Sequence, residues 1–493
     1  MLCNFIELLA KRENLFPIVS QERKGKEMFY KCKGKLCYYL TEQEERPIVC
    51  PECGSTEFEE ITEDSITPAQ WADMGIYCLG QKESSVEEER IFYYFKKSAE
   101  GGDPTGICNL AWCYENAYGT KVDKKQALWL MEQAVEMGNV VAACNLGYSY
   151  ETGQGVEKDM EKAVALYEKA YKKESARAAY YLGRCYLYGF IKEDHKKAVS
   201  YFMEAAEVGY VPAMIELARC YRAGWGVKQN DAEAVNLYYE AAKREDPYAQ
   251  ISLGEMYEDG RGFAKESQGM LNHLERASYW YRKSAEQGYP EGQLQLARCY
   301  EHGIGVQQSD EQSLYWTEES AKQGYPRAQT VLGIKFLYGE GVEEDEAKAF
   351  SWFQRSAMQG EKRAKRYLGV CYENGYGTDQ NLKKAVEYYK SAIEAGDINA
   401  KTLLGNLYRT GKGGEEDLEK AIKYYISAAE DGDFDGLIAV GECYAKGIGL
   451  PIDYEQAERY ITMALSKAEE GEDFSKTKQL LEWVQQQKET KEP

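Results

Sequence analysis

The chain has 493 residues, too long for one compact core, so it must fold either as several domains or as a repeat array. Its 41 tyrosines and 45 glycines, against 11 prolines, favour a recurring unit that uses these residues in every copy. A formal net charge of −21 repels nucleic-acid phosphates and anionic lipid head groups, which argues against broad binding to nucleic acid or to membranes.

The N-terminal stretch predicts neither a signal peptide nor a membrane anchor. It has no basic region before its only apolar run, and Glu7 lies inside that run. No stretch approaches the ~18 apolar residues that a transmembrane helix needs. Without a signal peptide, the fourteen cysteines indicate reduced thiols and a metal site rather than a disulfide scaffold. We therefore expect a cytoplasmic protein.

Residues 1–60 are predicted to form an N-terminal segment around a four-cysteine module whose core is 30–54. The cysteines follow the spacing C-x4-C-x12-C-x2-C: Cys32, Cys37, Cys50 and Cys53. Four thiolates from two tight turns suit tetrahedral zinc and leave no open position for a substrate or an activated water. We predict one structural zinc ion per chain, with iron or no metal as the alternatives. The C-P-E-C-G turn resembles zinc ribbons and rubredoxin-like modules.

Residues 61–465 contain a repeat whose period can be counted. Each copy has an apolar residue, here called the marker, that is followed directly by Gly or Ala; in ten copies an aromatic residue lies four positions after the marker. The markers are Met74, Leu110, Leu146, Leu182, Leu217, Leu253, Leu296, Leu332, Leu368, Leu404 and Val440. Eight of the ten intervals are 36 residues, and the others are 35 and 43. Because residues four apart share a helix face, the pattern predicts one α-helix per copy with a buried face.

A second helix is predicted in each copy after a glycine-rich turn. Pairs such as Gly153 and Gly155 can take the left-handed conformation that ends a helix. Segments such as KAVALYEKA (162–170) then place Ala and aromatic residues at three- and four-residue spacing. A helix pair cannot bury its apolar face alone, so neighbouring copies must stack. The predicted fold class is all-α: a right-handed alpha-solenoid of about eleven helix-turn-helix repeats, plus a small N-terminal zinc-ribbon-like module.

Two departures from the period are also predicted. The interval from Leu253 to Leu296 has seven extra residues, which we expect in a loop between the two helices of one copy. After residue 465 the period fades, and residues 466–493 are predicted to form a capping helix and tail that cover the last open apolar face.

The repeat resembles the Sel1-like branch of the tetratricopeptide family. The segments AYYLGRCYLYGF (179–190) and HKKAVSYFMEAAEVG (195–209) carry this resemblance, which extends over about four fifths of the chain. It implies an adaptor or scaffold that presents a groove to protein partners. Some secreted bacterial members have a cysteine pair in each unit and are linked to hydrolysis of cell-wall-related compounds. The alternative function is therefore a Sel1-like hydrolase acting on a cell-wall-related or β-lactam-type substrate.

This chain departs from the paired-cysteine pattern, because most copies have a single cysteine three positions after the marker. We interpret these cysteines as small apolar packing residues: Cys113, Cys185, Cys220, Cys299, Cys371 and Cys443. The three histidines lie outside metal-binding and nucleophile motifs, and no phosphate-binding loop or hydrolase motif occurs. We therefore predict that the chain is not an enzyme.

Positions one before, two after and six after the marker are expected on one helix face that lines the groove, by analogy with related helix-pair folds. These positions vary between copies while the scaffold positions do not. Aromatic residues and arginine are enriched where proteins bind other proteins. The candidate partner-binding residues are Trp112, Tyr148, Tyr181, Arg184, Arg219 and Arg298. The alternative is that these positions are solvated and bind nothing.

The three arginines of this set share the position two after the marker. Guanidinium groups repeated along one line suit carboxylates or phosphates, so an acidic or phosphorylated peptide is the favoured ligand. The alternative is that each arginine neutralises a neighbouring carboxylate such as Glu216, Glu255 or Glu258.

Overall fold

The structure, a computed structural model, describes part of the N-terminal segment and most of the rest of the chain. The described residues are 28–32, 40–43, 58–80, 85–190, 192–263, 270–412, 414, 416–467 and 474–491. Within these ranges, no helix combines the length and apolar character needed to span a bilayer. The chain divides into two compact units, residues 1–237 and 238–493.

The first described elements of the first unit form a small antiparallel sheet. Its strands are β1 (Met28–Cys32), β2 (Leu40–Gln43) and β3 (Phe58–Ile61), in the order β2-β1-β3. In the central strand, Phe29 is opposite Glu42 on one side and Ile61 on the other. Of the four predicted zinc ligands, Cys32 is the last residue of β1, while Cys37, Cys50 and Cys53 lie outside the described residues.

Nine α-helices follow among the described residues of the first unit. They are α1 (Pro68–Leu79), α2 (Ser85–Glu100), α3 (Pro104–Asn116), α4 (Lys124–Glu136), α5 (Val140–Thr152), α6 (Met160–Tyr171), α7 (Ala176–Leu187), α8 (His195–Glu207) and α9 (Val211–Ala223). Helix α10 (Asp231–Lys243) contains the boundary between the units.

All the regular elements among the described residues of the second unit are helices. Its helices are α11 (Pro247–Glu258), α12 (Met270–Glu286), α13 (Pro290–His302), α14 (Asp310–Lys322), α15 (Pro326–Tyr338), α16 (Glu346–Met358), α17 (Lys362–Asn374), α18 (Leu382–Glu394), α19 (Asn399–Thr410), α20 (Leu418–Glu430), α21 (Phe434–Lys446), α22 (Tyr454–Ser466) and α23 (Ser475–Lys491).

The helices from α1 to α22 form eleven pairs, as the period predicts. Each odd-numbered helix carries a marker and is called a first helix, and the following even-numbered helix is its second helix. Within each unit, the two helices of a repeat pack against each other, and each second helix packs against the first helix of the next repeat. The prediction of helix-turn-helix repeats is therefore confirmed.

The glycine after the marker lets the two helices of a repeat approach closely. A Cβ atom on Gly183 would lie 2.5 Å from Cε1 of Phe202, a ring of the second helix that is fully buried. Where the second helix has Met131 in place of this ring, the first helix has Ala111 in place of glycine. At Gly183 the absence of a Cβ atom therefore makes room for the Phe202 ring.

The predicted packing cysteines lie inside the array. All six are buried, together with Cys108 and Cys144. Burial disfavours the thiolate and raises the pKa of Cys113, Cys185 and Cys299 to about 12. Their interpretation as small apolar packing residues agrees with this burial.

The second helices start with a repeated polar arrangement. The side chain of Asp194 accepts a hydrogen bond from the backbone N–H of Lys197 at 3.0 Å and so caps α8. The ammonium group of Lys197 lies 4.1 Å from the ring centroid of Tyr186, four residues after a marker. Lys162 lies over Tyr150 in the same way, at 5.2 Å. These contacts fix the turn between the helices of a repeat.

The seven-residue insertion is partly helical. Helix α12 has 17 residues where the equivalent α14 and α16 have 13, so about one turn of the insertion extends α12 at its N-terminus. The prediction that the insertion is a loop is wrong for that turn. Before the undescribed residues 264–269, Phe263 stacks on Tyr257 with ring centroids 4.4 Å apart.

The last helix covers the last repeat. In α23, Val484 is fully buried and belongs to a cluster with Ala445, Ala457 and Ile461 of the final helix pair. Trp483 meets the ring of Tyr454 edge-on, with centroids 6.3 Å apart. Helix α23 thus shields an apolar face that no further repeat covers in the described residues.

Candidate functional site

The candidate partner-binding residues lie on first helices, on a surface that we call the first-helix surface: the positions one before, two after and six after the marker. Trp112 and Tyr148 are half-buried there and pack against the core of the first unit. Tyr181 is only 4% exposed and stacks on Tyr167 at 4.8 Å, so its ring offers little area to a partner. The ring centroids of Tyr148 and Tyr181 therefore lie 6.1 Å apart, but Tyr148 is half-buried whereas Tyr181 is almost completely buried.

Arg184 is held by a carboxylate of the preceding repeat. Its Nη2 donates to Oε1 of Glu151 at 3.1 Å, and the guanidinium lies 5.9 Å from the ring centroids of both Tyr180 and Tyr181. Glu151, which is 7% exposed, accepts a second hydrogen bond from the Tyr167 hydroxyl at 2.7 Å. The guanidinium is thus fixed by one carboxylate and two rings.

Arg298 repeats this arrangement in the second unit. Its Nη1 and Nη2 donate to the two carboxylate oxygens of Glu258 at 2.8 and 2.6 Å, and the Tyr281 hydroxyl donates to the same carboxylate at 2.9 Å. Burial alone would raise the pKa of Glu258, but the hydrogen bonds and charge of Arg298, with the bond from Tyr281, hold it below its usual value of 4.5.

Arg219 lies beside the exposed side chain of Tyr188. Its Nη1 donates to both oxygens of Glu216 on the same helix, at 3.2 and 3.3 Å, and to the hydroxyl of Tyr188 at 3.3 Å. The Tyr188 side chain is 42% exposed and donates to Glu216 at 3.2 Å. This group can meet a partner without prior rearrangement.

All three arginines therefore bond carboxylates, and two of these, Glu216 and Glu258, are among those that the sequence analysis named as neutralising alternatives. The position five after the marker was not predicted to matter, although a glutamate recurs there in five copies: Glu115, Glu151, Glu258, Glu301 and Glu373. The same position pairs with Lys335 in one repeat, through Glu301 at 2.9 Å. Its recurrence was the available signal, but in a chain with 82 acidic residues it carried little weight by itself.

Within the described ranges, no group of three or more His, Cys, Asp or Glu residues is placed to bind a metal ion. Three of the four predicted zinc ligands fall outside those ranges. The site that the structure does describe is a surface of aromatic rings and paired charges, suited to noncovalent contact.

Comparison with known proteins places this geometry in a family. The Sel1 repeat matches eleven consecutive segments: 74–103, 104–139, 140–175, 176–210, 211–246, 247–289, 290–325, 326–361, 362–397, 398–433 and 435–468. These segments cover about four fifths of the chain and coincide with the eleven helix pairs.

Individual relatives share parts of the array. Chitin synthase regulatory factor 3 of Schizosaccharomyces pombe is 33% identical over 118 residues, which are 23% of this chain and 12% of that protein. The chitin synthase regulator SKT5 of Saccharomyces cerevisiae is 31% identical over 134 residues, which are 26% and 18%. The match therefore spans less than a fifth of either fungal protein.

A solved structure supports the fold over a longer range. The protective antigen of uropathogenic Escherichia coli strains that displays an SLR fold is similar with a TM-score of 0.52 and 28% identity, over 86% of this chain and 92% of that chain. The Sel1 repeat matches well over half of the residues, and its eleven matches follow the observed helix pairs. The chain therefore belongs to the Sel1 repeat family.

Proposed function

We propose that the chain is a non-enzymatic scaffold that binds protein or peptide partners on its first-helix surface. The observation that carries this proposal is the contrast between fixed and variable positions: glycine and ring pack identically in several repeats, while the first-helix surface changes from repeat to repeat. Variable side chains on a constant frame are typical of a recognition surface. The fungal relatives, whose names describe regulators of another enzyme, support a role exerted through protein contact.

The arginine groups suit this role because they are ordered before a partner arrives. Arg184 and Arg298 are held by carboxylates that also accept tyrosine hydroxyls, so little side-chain freedom is left to lose on binding. Tyrosine and arginine are also the residue types that most often dominate binding energy at protein interfaces.

An acidic or phosphorylated peptide is the second candidate ligand. It would have to compete with Glu216 for Arg219, whose side chain is more exposed than that of Arg184. Arg184 is less suited, because its own partner Glu151 is buried and would be left uncompensated.

The test is quantitative capture by the tagged full-length chain, compared with an Arg219→Glu variant. Replacement of Arg219 removes both the cation and the Tyr188 contact, so recovery of bound proteins should fall at least roughly tenfold. The melting midpoint, measured in parallel, separates this loss from any destabilisation by a second carboxylate beside the largely buried Glu216. A Lys423→Glu variant is the matched control, since Lys423 is an exposed lysine on a second helix. Equal recovery by all three proteins across a salt series would contradict binding at this surface.

We also propose that Cys32, Cys37, Cys50 and Cys53 bind one structural zinc ion. The spacing of the four thiols supports this, as does the end of β1 at Cys32. With no open coordination position, the metal would supply folding free energy of order 10 kcal/mol and no catalysis.

Elemental analysis of freshly purified protein should show one zinc ion per chain. In a Cys50→Ser variant the zinc should be lost while helical circular dichroism persists, because the repeats share no ligand with the module. Cys78→Ser, in helix α1, is the control and should keep its zinc. Metal-free wild-type protein, or unchanged zinc in Cys50→Ser, would disprove the site.

A further inference from the structure

Glu115 is the one glutamate of its series whose side chain has no partner among the residues that the structure describes. The other four glutamates at the position five after the marker all accept hydrogen bonds. The donors are Tyr167 and Arg184 for Glu151, Tyr281 and Arg298 for Glu258, Lys335 for Glu301, and Tyr389 for Glu373. In the repeat of Glu115, the second helix has Met131 at the tyrosine position, which cannot donate a hydrogen bond. Glu115 is half-buried, and no donor to its carboxylate lies among the described residues.

Lys335 shows what occupies the equivalent space at another junction between repeats. It lies three after its marker, is almost completely buried, and its Nζ reaches Oε1 of Glu301 in the preceding repeat at 2.9 Å. In the repeat that follows Glu115, the residue three after the marker Leu146 is Ser149. Its side chain is far too short to reach the Glu115 carboxylate. The junction at Glu115 thus has the acceptor of this pair without the lysine.

A cavity of ≈ 400 Å³ opens at this junction. Ala127, Leu128, Met131 and Leu146 form its apolar wall, Ser149 and the turn from Gly153 to Val156 line another side, and Glu115 and Lys124 contribute charges. The turn glycine explains the gap. A Cβ on Gly226, Gly305 or Gly377 would lie 2.0 to 2.2 Å from a backbone carbonyl of the preceding second helix, whereas one on Gly155 would meet nothing within 4 Å. The turn therefore packs on the preceding helix at those junctions and stands away from it here.

We infer that this cavity is a binding site for a lysine side chain supplied by a partner protein. The lysine stem lies along Leu128, Met131 and Leu146, and its ammonium donates to Glu115, as Lys335 does to Glu301 within the chain. The net charge of −21 favours the approach of a basic partner segment. The inference rests on the proposed scaffold function, because it assigns a partner chemistry to one junction.

The effect of Lys124 on binding distinguishes a lysine ligand from an acidic one. Its side chain is exposed, lines the cavity and has no partner within the described part of the chain. If the cavity took an anion, Lys124 would be the group that holds it. For a lysine ligand, Lys124 is a neighbouring like charge, and its removal leaves binding unchanged or tightens it.

The probe is Nα-acetyl-L-lysinamide, titrated into the full-length chain carrying methyl-labelled methionine. The Met131 methyl resonance, identified with a Met131→Leu variant, should shift saturably. The affinity should fall at least roughly tenfold in Glu115→Gln, because a charge-assisted hydrogen bond is lost. Glu157→Gln, an exposed glutamate beside the same turn, should bind the probe as the wild type does. Nα-acetyl-L-norleucinamide, which has the stem without the ammonium, should bind more weakly than the lysine probe.

A Ser149→Lys variant supplies the ligand from within the chain. It should abolish probe binding and raise the melting midpoint, and the rise should vanish in the Ser149→Lys/Glu115→Gln double variant. Unchanged affinity in Glu115→Gln would overturn the inference, and so would saturable binding of N-acetylglutamate that is lost in Lys124→Ser. These measurements use no partner protein, so their failure is distinct from failure of the capture experiment at Arg219.

Discussion

Glu151 and Glu258 each connect three helices through one carboxylate. Glu151 on α5 accepts from Tyr167 on α6 and from Arg184 on α7. Glu258 on α11 does the same with Tyr281 on α12 and Arg298 on α13. Each carboxylate therefore joins both helices of its own repeat to the first helix of the next. Removing the carboxylate leaves both the tyrosine hydroxyl and the guanidinium without this acceptor, which costs more than the bonds themselves contribute.

Because the pKa of Glu258 is lowered, this carboxylate makes the free energy of unfolding of the second unit sensitive to acid. Because the folded chain binds this proton less readily than the unfolded chain, the contribution is complete above the unfolded pKa and is lost as pH falls through the folded pKa. We predict that Glu258→Gln lowers the free energy of unfolding at pH 7 by about 1–2 kcal/mol and flattens its decline below pH ~4.5.

Thermal unfolding between pH 7 and pH 3 measures this effect. Arg298→Gln should flatten the decline as well, because it removes the group that lowers the pKa of Glu258. A Glu258→Gln variant that still loses stability with the wild-type slope would show that the carboxylate contributes no acid sensitivity.

The contact between Gly183 and Phe202 predicts an overpacked variant. Gly183→Ala places a methyl group about where the ring edge lies, at 2.5 Å, and should lower the free energy of unfolding by about 1–3 kcal/mol. Adding Phe202→Met should recover most of the loss, since Ala111 and Met131 form that combination in another repeat. Urea denaturation of the single and double variants measures both effects, and equal loss in both would argue against the ring as the cause.

Residue-level pairing was the hardest feature to predict. The burial of the cysteines follows from one repeat compared with the next, and it was predicted. The Glu151 contacts were not, because they join residues in three helices of two repeats. A period identifies which positions are equivalent, but it does not say which two of them face each other.

At the scale of elements, the helix pairs were predictable because each helix has its own apolar face and most helices end at or just before a glycine. The extension of α12 was not. Its first residues, MLNHLER, consist largely of good helix formers, and this local preference prevails over the usual placement of insertions in loops. The strands β1 to β3 were missed because they are short and belong to no repeat.

Helix α23 should be required for the last repeat but not for distant ones. A charge at the fully buried Val484 should separate α23 from Ala457 and Ile461, so Val484→Asp should lower the local opening free energy of α22 by about 2 kcal/mol or more. Hydrogen exchange should then quicken in α21 and α22 and stay slow in α13. Gln486→Asp, an exposed position on α23, is the control. Faster exchange along the whole second unit would contradict contact limited to neighbouring repeats.

At the scale of the whole molecule, contacts within each unit join mainly neighbouring helices, so stability is approximately a sum over repeats and their interfaces. A side chain on the first-helix surface can therefore change without disturbing a distant repeat. This independence explains why the period predicts the fold well and the binding site poorly. The period is set by packing inside and between repeats, whereas the surface residues are set by a partner that the sequence does not contain.

The buried cysteines make the array a reporter of its own motions. Thiol alkylation proceeds through the thiolate, which is scarce when burial raises the pKa to about 12, so a folded repeat should react only when it opens. Cys113, Cys185, Cys220, Cys299, Cys371 and Cys443 lie at the same position of six different repeats. Pulsed labelling followed by peptide mass spectrometry would thus give a separate opening rate for each of these repeats in the unmodified chain, and binding of a partner would be read as slower labelling at the repeats it covers.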